Sequence, residues 1–133
     1  MKWATYAVVA GVSALMGMRA ETRAAFDLNE RGVAIMARGD YAGAEQLFGE
    51  SLRAWRDLGP AYEAHYASTL SNLGLALCGE GKWQEGAKVL QESLAQNRRV
   101  LGPKHVRTVY NLNMLGNVTM LLGDMEQAEA LYS

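Results

Sequence analysis

Few residues in this sequence could carry nucleophilic, acid–base or metal chemistry, since its 133 residues include one cysteine and two histidines. Cys78 follows His65 at a separation that matches no nucleophile–base signature. His65 and His105 have no cysteine or carboxylate at the spacing that metal ligands need. We therefore predict a packed, inert thiol at Cys78 and expect no enzymatic activity, no metal site and no cofactor.

The acidic residues and the glycines point to no catalytic or phosphate-binding site either. No glycine is followed by the Lys-Ser or Lys-Thr pair of a phosphate-binding loop. The formal net charge of −1 gives no electrostatic reason to expect nucleic acid as a partner. Four glutamates are typical of a solvated helix surface, and they are Glu45, Glu50, Glu85 and Glu92.

One basic cluster has two interpretations. Arg98 and Arg99 fall near the C-terminus of a predicted helix, where a cation opposes the helix dipole favourably. This structural role is the one we predict, and docking of an acidic peptide is the alternative. The full cluster is Arg98, Arg99, Lys104 and Arg107.

The composition predicts an all-α protein that can bury a core. Half of the residues are hydrophobic and 20% are charged, and the chain has only two prolines. Sustained strand-like alternation is missing, and β-branched residues are few outside the N-terminal group Val8, Val9 and Val12. The many alanines and glycines suit thin layers of closely packed helices.

A pattern of glycines and leucines recurs three times at a constant interval, and this 42-residue period is typical of a repeat array. Its clearest copy runs from Leu70 to Leu90, as LSNLGLALCGEGKWQEGAKVL. The recurring positions are Leu28, Leu70 and Leu112, then Gly32, Gly74 and Gly116, then Gly39, Gly81 and Gly123.

Each repeat predicts a hairpin of two helices. The first helices are expected over 21–38, 63–80 and 105–122, each ended by a glycine in the left-handed conformation. Second helices then open near Tyr41, Trp83 and Met125. Glycine inside a helix costs about 1 kcal/mol relative to alanine, so we expect close approach of the partner helix at the interior glycines. The repeats would span 21–62, 63–104 and 105–133, the last being incomplete, and they follow an apolar segment over 1–20.

Three interpretations of the apolar segment over 1–20 remain open. It resembles a secretory signal, although Met18 makes cleavage after Ala20 unfavourable. It could anchor the chain in a membrane, although its uncharged run is shorter than the roughly 20 residues that a span needs. The third interpretation is a buried leading helix over Thr5 to Leu15.

The order of Leu70, Gly74, Trp83 and Gly86 resembles the tetratricopeptide repeat, a helix-turn-helix unit that is usually about 34 residues long. The 42-residue period, the LSNLG and LNMLG openings and the linker LGPKHVRT look like the subclass found in kinesin light chains. In that subclass the linker commonly has a proline where Val106 stands here. The resemblance covers about 21–133.

This resemblance implies an all-α solenoid of about three antiparallel hairpins whose first helices line a concave groove. Asparagines in such a groove can hydrogen-bond the backbone of a peptide. The paired lysines or arginines with which some relatives hold chaperone tails do not occur at these positions. The groove residues implied by the family are Phe26, Asn29, Val33, Met36, Ser68, Ser71, Leu75, Tyr110, Asn113, Asn117 and Met120.

The sequence therefore predicts an interaction module or scaffold that binds a protein or peptide segment, without nucleic acid. The uncovered end of the third repeat suggests the alternative of an oligomerising structural module that associates with itself. A membrane-tethered adaptor is a further alternative, which depends on residues 1–20. We expect a cytoplasmic protein, or a secreted or membrane-anchored one if residues 1–20 are a targeting segment.

Overall fold

The computed structural model describes residues 19–132, including the side chains of these residues except Gln127, Ala128 and Tyr132. Consecutive helices pack against each other as antiparallel neighbours, and this part of the chain contains no strand. The all-α prediction is confirmed. The helices are α1 (Ala20–Ala37), α2 (Tyr41–Leu58), α3 (Glu63–Gly79), α4 (Trp83–Leu101) and α5 (Val106–Tyr132), with a 3₁₀ turn at Pro60–Tyr62.

The first two hairpins turn at the predicted glycines. Gly39 has φ 87° and Gly81 has φ 82°, the left-handed region that L side chains adopt rarely. Backbone hydrogen bonds close both turns, since Gly39 N–H donates to Met36 O at 2.9 Å and Gly81 N–H donates to Cys78 O at 3.0 Å. The predictions of helix–turn–helix units over the first two repeats are confirmed, with helix ends that differ by about one residue.

The predicted third turn is wrong. Helix α5 continues through Gly123, which is not among the glycines with positive φ in the described residues. A left-handed turn breaks helical hydrogen bonds, and packing of the following helix must compensate for them. Beyond Gly123 the side chains of Met125 and Leu131 are 45% and 85% exposed, so little packing is available to favour the turn. The division of the chain into three repeats remains a prediction.

Close packing within the hairpins depends on the interior glycines. A Cβ added to Gly32 would lie 2.6 Å from Phe48 Cε1, and one added to Gly74 would lie 2.8 Å from Leu90 Cγ. These distances are shorter than any ordinary carbon–carbon contact. The predicted close approach is confirmed at these two glycines, whereas Gly116 faces open space among the described residues.

The repeat also extends to buried hydrogen bonds between the two helices of each hairpin. The Ser51 hydroxyl donates to Ala25 O at 2.8 Å, and the Ser93 hydroxyl donates to Ala67 O at 2.7 Å. Both serines are fully buried. Because the second pair lies one full repeat after the first, the two hairpins share one internal geometry.

The thiol of Cys78 is packed in the core beside Leu90 and Val118. Only 7% of this residue is exposed, and burial raises the pKa of the thiol. The prediction of a packed cysteine is confirmed. A raised pKa keeps the group protonated and therefore weakly nucleophilic at neutral pH.

The apolar N-terminal segment predicted over 1–20 lies outside the described part of the chain except for Arg19 and Ala20, and Ala20 is the first residue of α1. From Arg19 onward, no helix combines the length and apolar character that crossing a membrane requires.

Candidate functional site

The three first helices, α1, α3 and α5, lie side by side and line one surface. Asn72 Nδ2 of α3 donates to Asn29 Oδ1 of α1 at 3.1 Å. The Ser71 hydroxyl of α3 donates to Asn111 Oδ1 of α5 at 2.8 Å. Each contact joins one predicted groove residue, Asn29 or Ser71, to a side chain of a neighbouring first helix. We call the face of α1, α3 and α5 that carries the predicted groove residues the groove surface.

Helix α5 supplies the most accessible part of the groove surface. Tyr110 is 58% exposed and Met120 is 62% exposed, and Asn113 and Asn117 are exposed as well. Neither asparagine side chain makes a hydrogen bond within the described residues. Both amides are therefore available to a ligand.

The predicted groove residues of α1 are less accessible. Val33 is partly exposed, whereas Met36 is half-buried against the cluster around Phe48. Phe26 is half-buried with its ring edge-on to Trp55, at 4.9 Å between ring centroids. Asn29 is half-buried and already accepts the hydrogen bond from Asn72. Helix α1 thus offers side chains that mostly contact the protein itself.

The predicted groove residues of α3 have different roles. Ser68 and Leu75 are half-buried and can contribute to the groove surface. Ser71 is only 6% exposed and its hydroxyl is committed to Asn111. Since its hydroxyl is buried, we expect Ser71 to support α5 from beneath rather than contact a ligand directly.

Three of the predicted residues meet at a cavity of about 60 Å³ between α3 and α5. A volume of this size exceeds what one water molecule needs, so it can admit water or a small polar group. Asn97 of α4 forms part of the wall and is 1% exposed, and its Oδ1 has no hydrogen-bond partner among the described residues. An unpaired buried amide oxygen is costly, and a donor bound in the cavity could satisfy it. The lining residues are Ser68, Ser71, Asn72, Asn97, Arg107, Tyr110 and Asn111.

The sequence did not indicate Asn97 and Asn111, although a signal for both exists. They are the counterparts, one repeat later, of Trp55 and Thr69, where Trp55 Nε1 donates to Thr69 Oγ1 at 3.1 Å. The equivalent positions at the next repeat boundary are both asparagines, and there Asn111 is hydrogen-bonded to Ser71 and Ser93 instead. Because asparagine is much smaller than tryptophan, the polar boundary leaves room for the cavity.

The aromatic boundary surrounds His65. The His65 ring stacks on Trp55 at 4.9 Å between ring centroids and meets the edge of Phe26 at 4.8 Å. Burial, and secondarily the positive charge of Arg107, lower the pKa of His65. A neutral, stacked imidazole is a packing element, and the described residues include no cluster of metal-binding side chains around it.

A second cavity, of about 330 Å³, opens beside the C-terminal ends of α2 and α4. Arg56 Nη2 donates to Tyr66 Oη at 3.0 Å across it, and Arg99 Nη1 forms an ion pair with Glu63 Oε2 at 3.2 Å. Arg99 belongs to the basic cluster, so this member is paired internally. The charged groups that line this cavity already have partners, which distinguishes it from the cavity at Asn97.

Comparison with known proteins gives one match to a protein family. Residues 65–133 match the family model described as tetratricopeptide repeat, a stretch that covers α3, α4 and α5. Repeats of this kind are generally protein–protein interaction modules, and the repeat family is non-catalytic. No curated protein matches the sequence.

Proposed function

This chain belongs to the tetratricopeptide repeat family, and from that premise we propose that it binds an extended peptide segment of a partner protein along the groove surface. The concave face of such a stack would be lined by α1, α3 and α5. The 42-residue period and the LGPKHVRT linker further support the kinesin-light-chain-like subclass. Binding, not catalysis, is the activity that we propose.

The cavity at Asn97 carries this proposal. Ser68 and Tyr110, predicted independently as groove residues, line it together with the amide oxygen of Asn97, which has no partner in the part of the chain that the structure describes. A peptide carries an N–H and a C=O at nearly every residue, and asparagine amides can bond both. The free amides of Asn113 and Asn117 extend the same polar surface along α5.

Peptide selection against the purified domain, followed by titration of one selected peptide, tests the proposal. We expect Asn113→Ala and Asn117→Ala each to weaken binding by about 0.5 to 1.5 kcal/mol, the net contribution of one hydrogen bond. Both residues are exposed, so helicity and the unfolding midpoint should stay nearly unchanged. Glu92→Ala on α4 is the matched exposed control and should leave binding intact. A peptide that lost affinity with Glu92→Ala but not with the asparagine variants would place the binding face on the second helices.

Self-association is a second candidate, and a specific observation favours it. Helix α5 exposes a series of apolar side chains, including Val109 at 43% and Leu112 at 47%. Contiguous exposed apolar surface of this kind marks interaction sites. Size-exclusion chromatography coupled to light scattering would separate a self-associating chain from a monomeric one.

We propose a cytoplasmic location for the protein. A tethered adaptor would follow instead if residues 1–20 insert into a membrane. Carbonate extraction of membranes from cells that express the full chain distinguishes these two locations, because an inserted chain would stay in the membrane pellet.

A further inference from the structure

The cavity at Asn97 is lined by two side chains whose hydrogen-bonding groups have no partner among residues 19–132. Asn97 is 1% exposed, and its Oδ1 accepts no hydrogen bond there. Arg107 lines the same cavity, and its guanidinium forms neither a side-chain hydrogen bond nor an ion pair within the part of the chain that the structure describes. The cavity therefore offers a ligand one buried acceptor and one positively charged donor.

The amide of Asn111, which lines the same cavity, is already used within the protein. Its Oδ1 accepts a hydrogen bond from the Ser71 hydroxyl at 2.8 Å, and its Nδ2 donates to Ser93 Oγ at 2.6 Å. These two bonds join α5 to α3 and to α4, and they hold this wall of the cavity in place. A ligand group that enters the cavity therefore meets Asn97 and Arg107 as the groups that still need partners.

A primary carboxamide has the hydrogen-bonding groups that this pair of residues requires. Its NH₂ group donates to Asn97 Oδ1, and its carbonyl oxygen accepts from the Arg107 guanidinium. A carboxylate has only acceptors and an ammonium group has only donors, so each would leave one of the two protein groups without a partner. For the oxygen of Asn97 the cost of burial without a hydrogen bond would then persist.

The size of the cavity favours the end of one side chain over a stretch of backbone. Its volume of about 60 Å³ is more than one water molecule needs, so a single hydroxyl group would leave part of it empty. It is also far smaller than the roughly 300 to 1,000 Å³ of pockets that enclose drug-sized ligands. The backbone of the peptide would therefore stay on the groove surface beside Asn113 and Asn117, while one side chain enters the cavity.

We propose that the cavity at Asn97 selects peptides by binding the carboxamide of one asparagine or glutamine side chain of the ligand. This inference rests on the peptide binding proposed above and specifies one residue of the peptide. The equivalent position at the first repeat boundary is Trp55, whose Nε1 donates to Thr69 Oγ1 at 3.1 Å. The selectivity therefore belongs to the second boundary, where the tryptophan is replaced by asparagine.

Selection of random peptides against the full chain, in its wild-type form and as Asn97→Leu, is the first test. Leucine removes the unpaired oxygen, so the variant should fold with an unfolding midpoint no lower than that of the wild type. We expect asparagine or glutamine at one fixed position of the peptides that the wild type selects, and no such preference with Asn97→Leu. Gln96→Leu is the matched control and should keep the preference, because Gln96 is the neighbouring amide on α4 and lines the larger cavity instead. A preference that persists in a folded Asn97→Leu would overturn the proposal.

Titration of one selected peptide into the wild-type chain is the second test, and it depends on no protein variant. Replacing the carboxamide residue of the peptide by the acid of the same shape should weaken binding about tenfold, because the donor to Asn97 Oδ1 is lost. Equal or tighter binding of the acidic peptide would overturn the proposal. Peptides that Asn113→Ala weakens but that show no preference for a carboxamide would refute this selectivity alone. If no peptide binds, the proposed function and the selectivity both fail.

Discussion

At the scale of single residues, the packing of each hairpin depends on a glycine that receives a large side chain. At Gly74 the space for a Cβ is occupied by Leu90, whose Cγ would be 2.8 Å away. Leu90 is fully buried, so it has little room to move aside. The cost of glycine in the helix is offset by this close contact, and the position should reject any larger residue.

The first prediction is that Gly74→Leu destabilises the protein by about 1 to 3 kcal/mol, the usual cost of overpacking a core. Thermal unfolding followed by circular dichroism measures it. Gly49→Ala is the control, because Gly49 is an interior helical glycine and no atom of residues 19–132 lies within 4 Å of an added Cβ. It should stabilise α2 by about 1 kcal/mol through helix propensity. An unchanged midpoint for Gly74→Leu would contradict this account of the packing.

The second prediction concerns Glu80, whose carboxylate lies beside that of Glu45 where the two hairpins meet. A hydrogen bond to Glu45, burial and the charge of Glu45 together raise the pKa of Glu80. The folded state therefore binds a proton more tightly than the unfolded state does. Above the ordinary pKa of 4.5, the free energy of unfolding should fall as pH rises through the raised value.

The variant Glu80→Gln should remove this pH dependence and raise the unfolding midpoint at pH 7. The ion pair lost with Lys82, at 3.8 Å, is too exposed to offset the gain. Denaturant unfolding between pH 4 and pH 8 measures both effects. Glu92→Gln, on the exposed face of α4, should change neither the pH dependence nor the unfolding midpoint. A free energy of unfolding that rises between pH 5 and pH 7 in the wild type, and no longer rises in Glu80→Gln, would contradict this prediction.

The residues of the candidate site were only partly predictable. Asn113 and Asn117 are groove residues that the family resemblance implies, and the side chains of both are exposed. Asn97 was not predicted as a site residue. Its role comes from the cavity that it lines with residues of the following repeat, and not from its position within its own repeat. The pattern within one repeat does not show which side chains lie at the boundary with the next repeat, where tryptophan in one repeat is replaced by asparagine in the other.

At the scale of helices, the glycines at 39, 81 and 123 show how far a sequence pattern determines structure. All three occupy the same repeat position, yet only Gly39 and Gly81 adopt positive φ. Glycine permits the left-handed turn, while packing of the next helix makes it favourable. The helix positions in the first two repeats could therefore be predicted from spacing, and the continuous α5 could not.

The third prediction follows from this contrast between equivalent glycines. Gly81→Ala should lower stability by roughly 1 kcal/mol or more, because alanine is strained at φ 82°. Gly123→Ala should instead stabilise the protein by up to about 1 kcal/mol, since Gly123 lies inside a helix. Parallel denaturant titrations of the two variants measure the difference. Equal destabilisation by both alanines would mean that α5 turns at Gly123 after all.

At the scale of the whole molecule, the described helices are not equally buried. Helix α3 has buried residues from Ala67 to Cys78, with α2 on one side and α4 on the other. The buried side chains described for α5 are Thr108, Asn111 and Val118, and its apolar residues beyond them are largely exposed. In a repeat stack each unit is stabilised by its neighbours, so burial of this kind predicts a gradient of local stability.

The last prediction is that native-state hydrogen exchange reports this gradient. Amides of α3 and α4 should be the most protected, and those of α5 after Val118 the least, because opening that segment exposes little buried surface. Asn111→Ala should lower protection in α5 selectively, since it removes the hydrogen bonds to Ser71 and Ser93 that hold α5 on the second hairpin. Asn113→Ala is the matched control on the same helix and should leave exchange unchanged. Uniform protection from α1 to α5, at concentrations where the chain is monomeric, would mean that the stack unfolds as one cooperative unit and not from the α5 end.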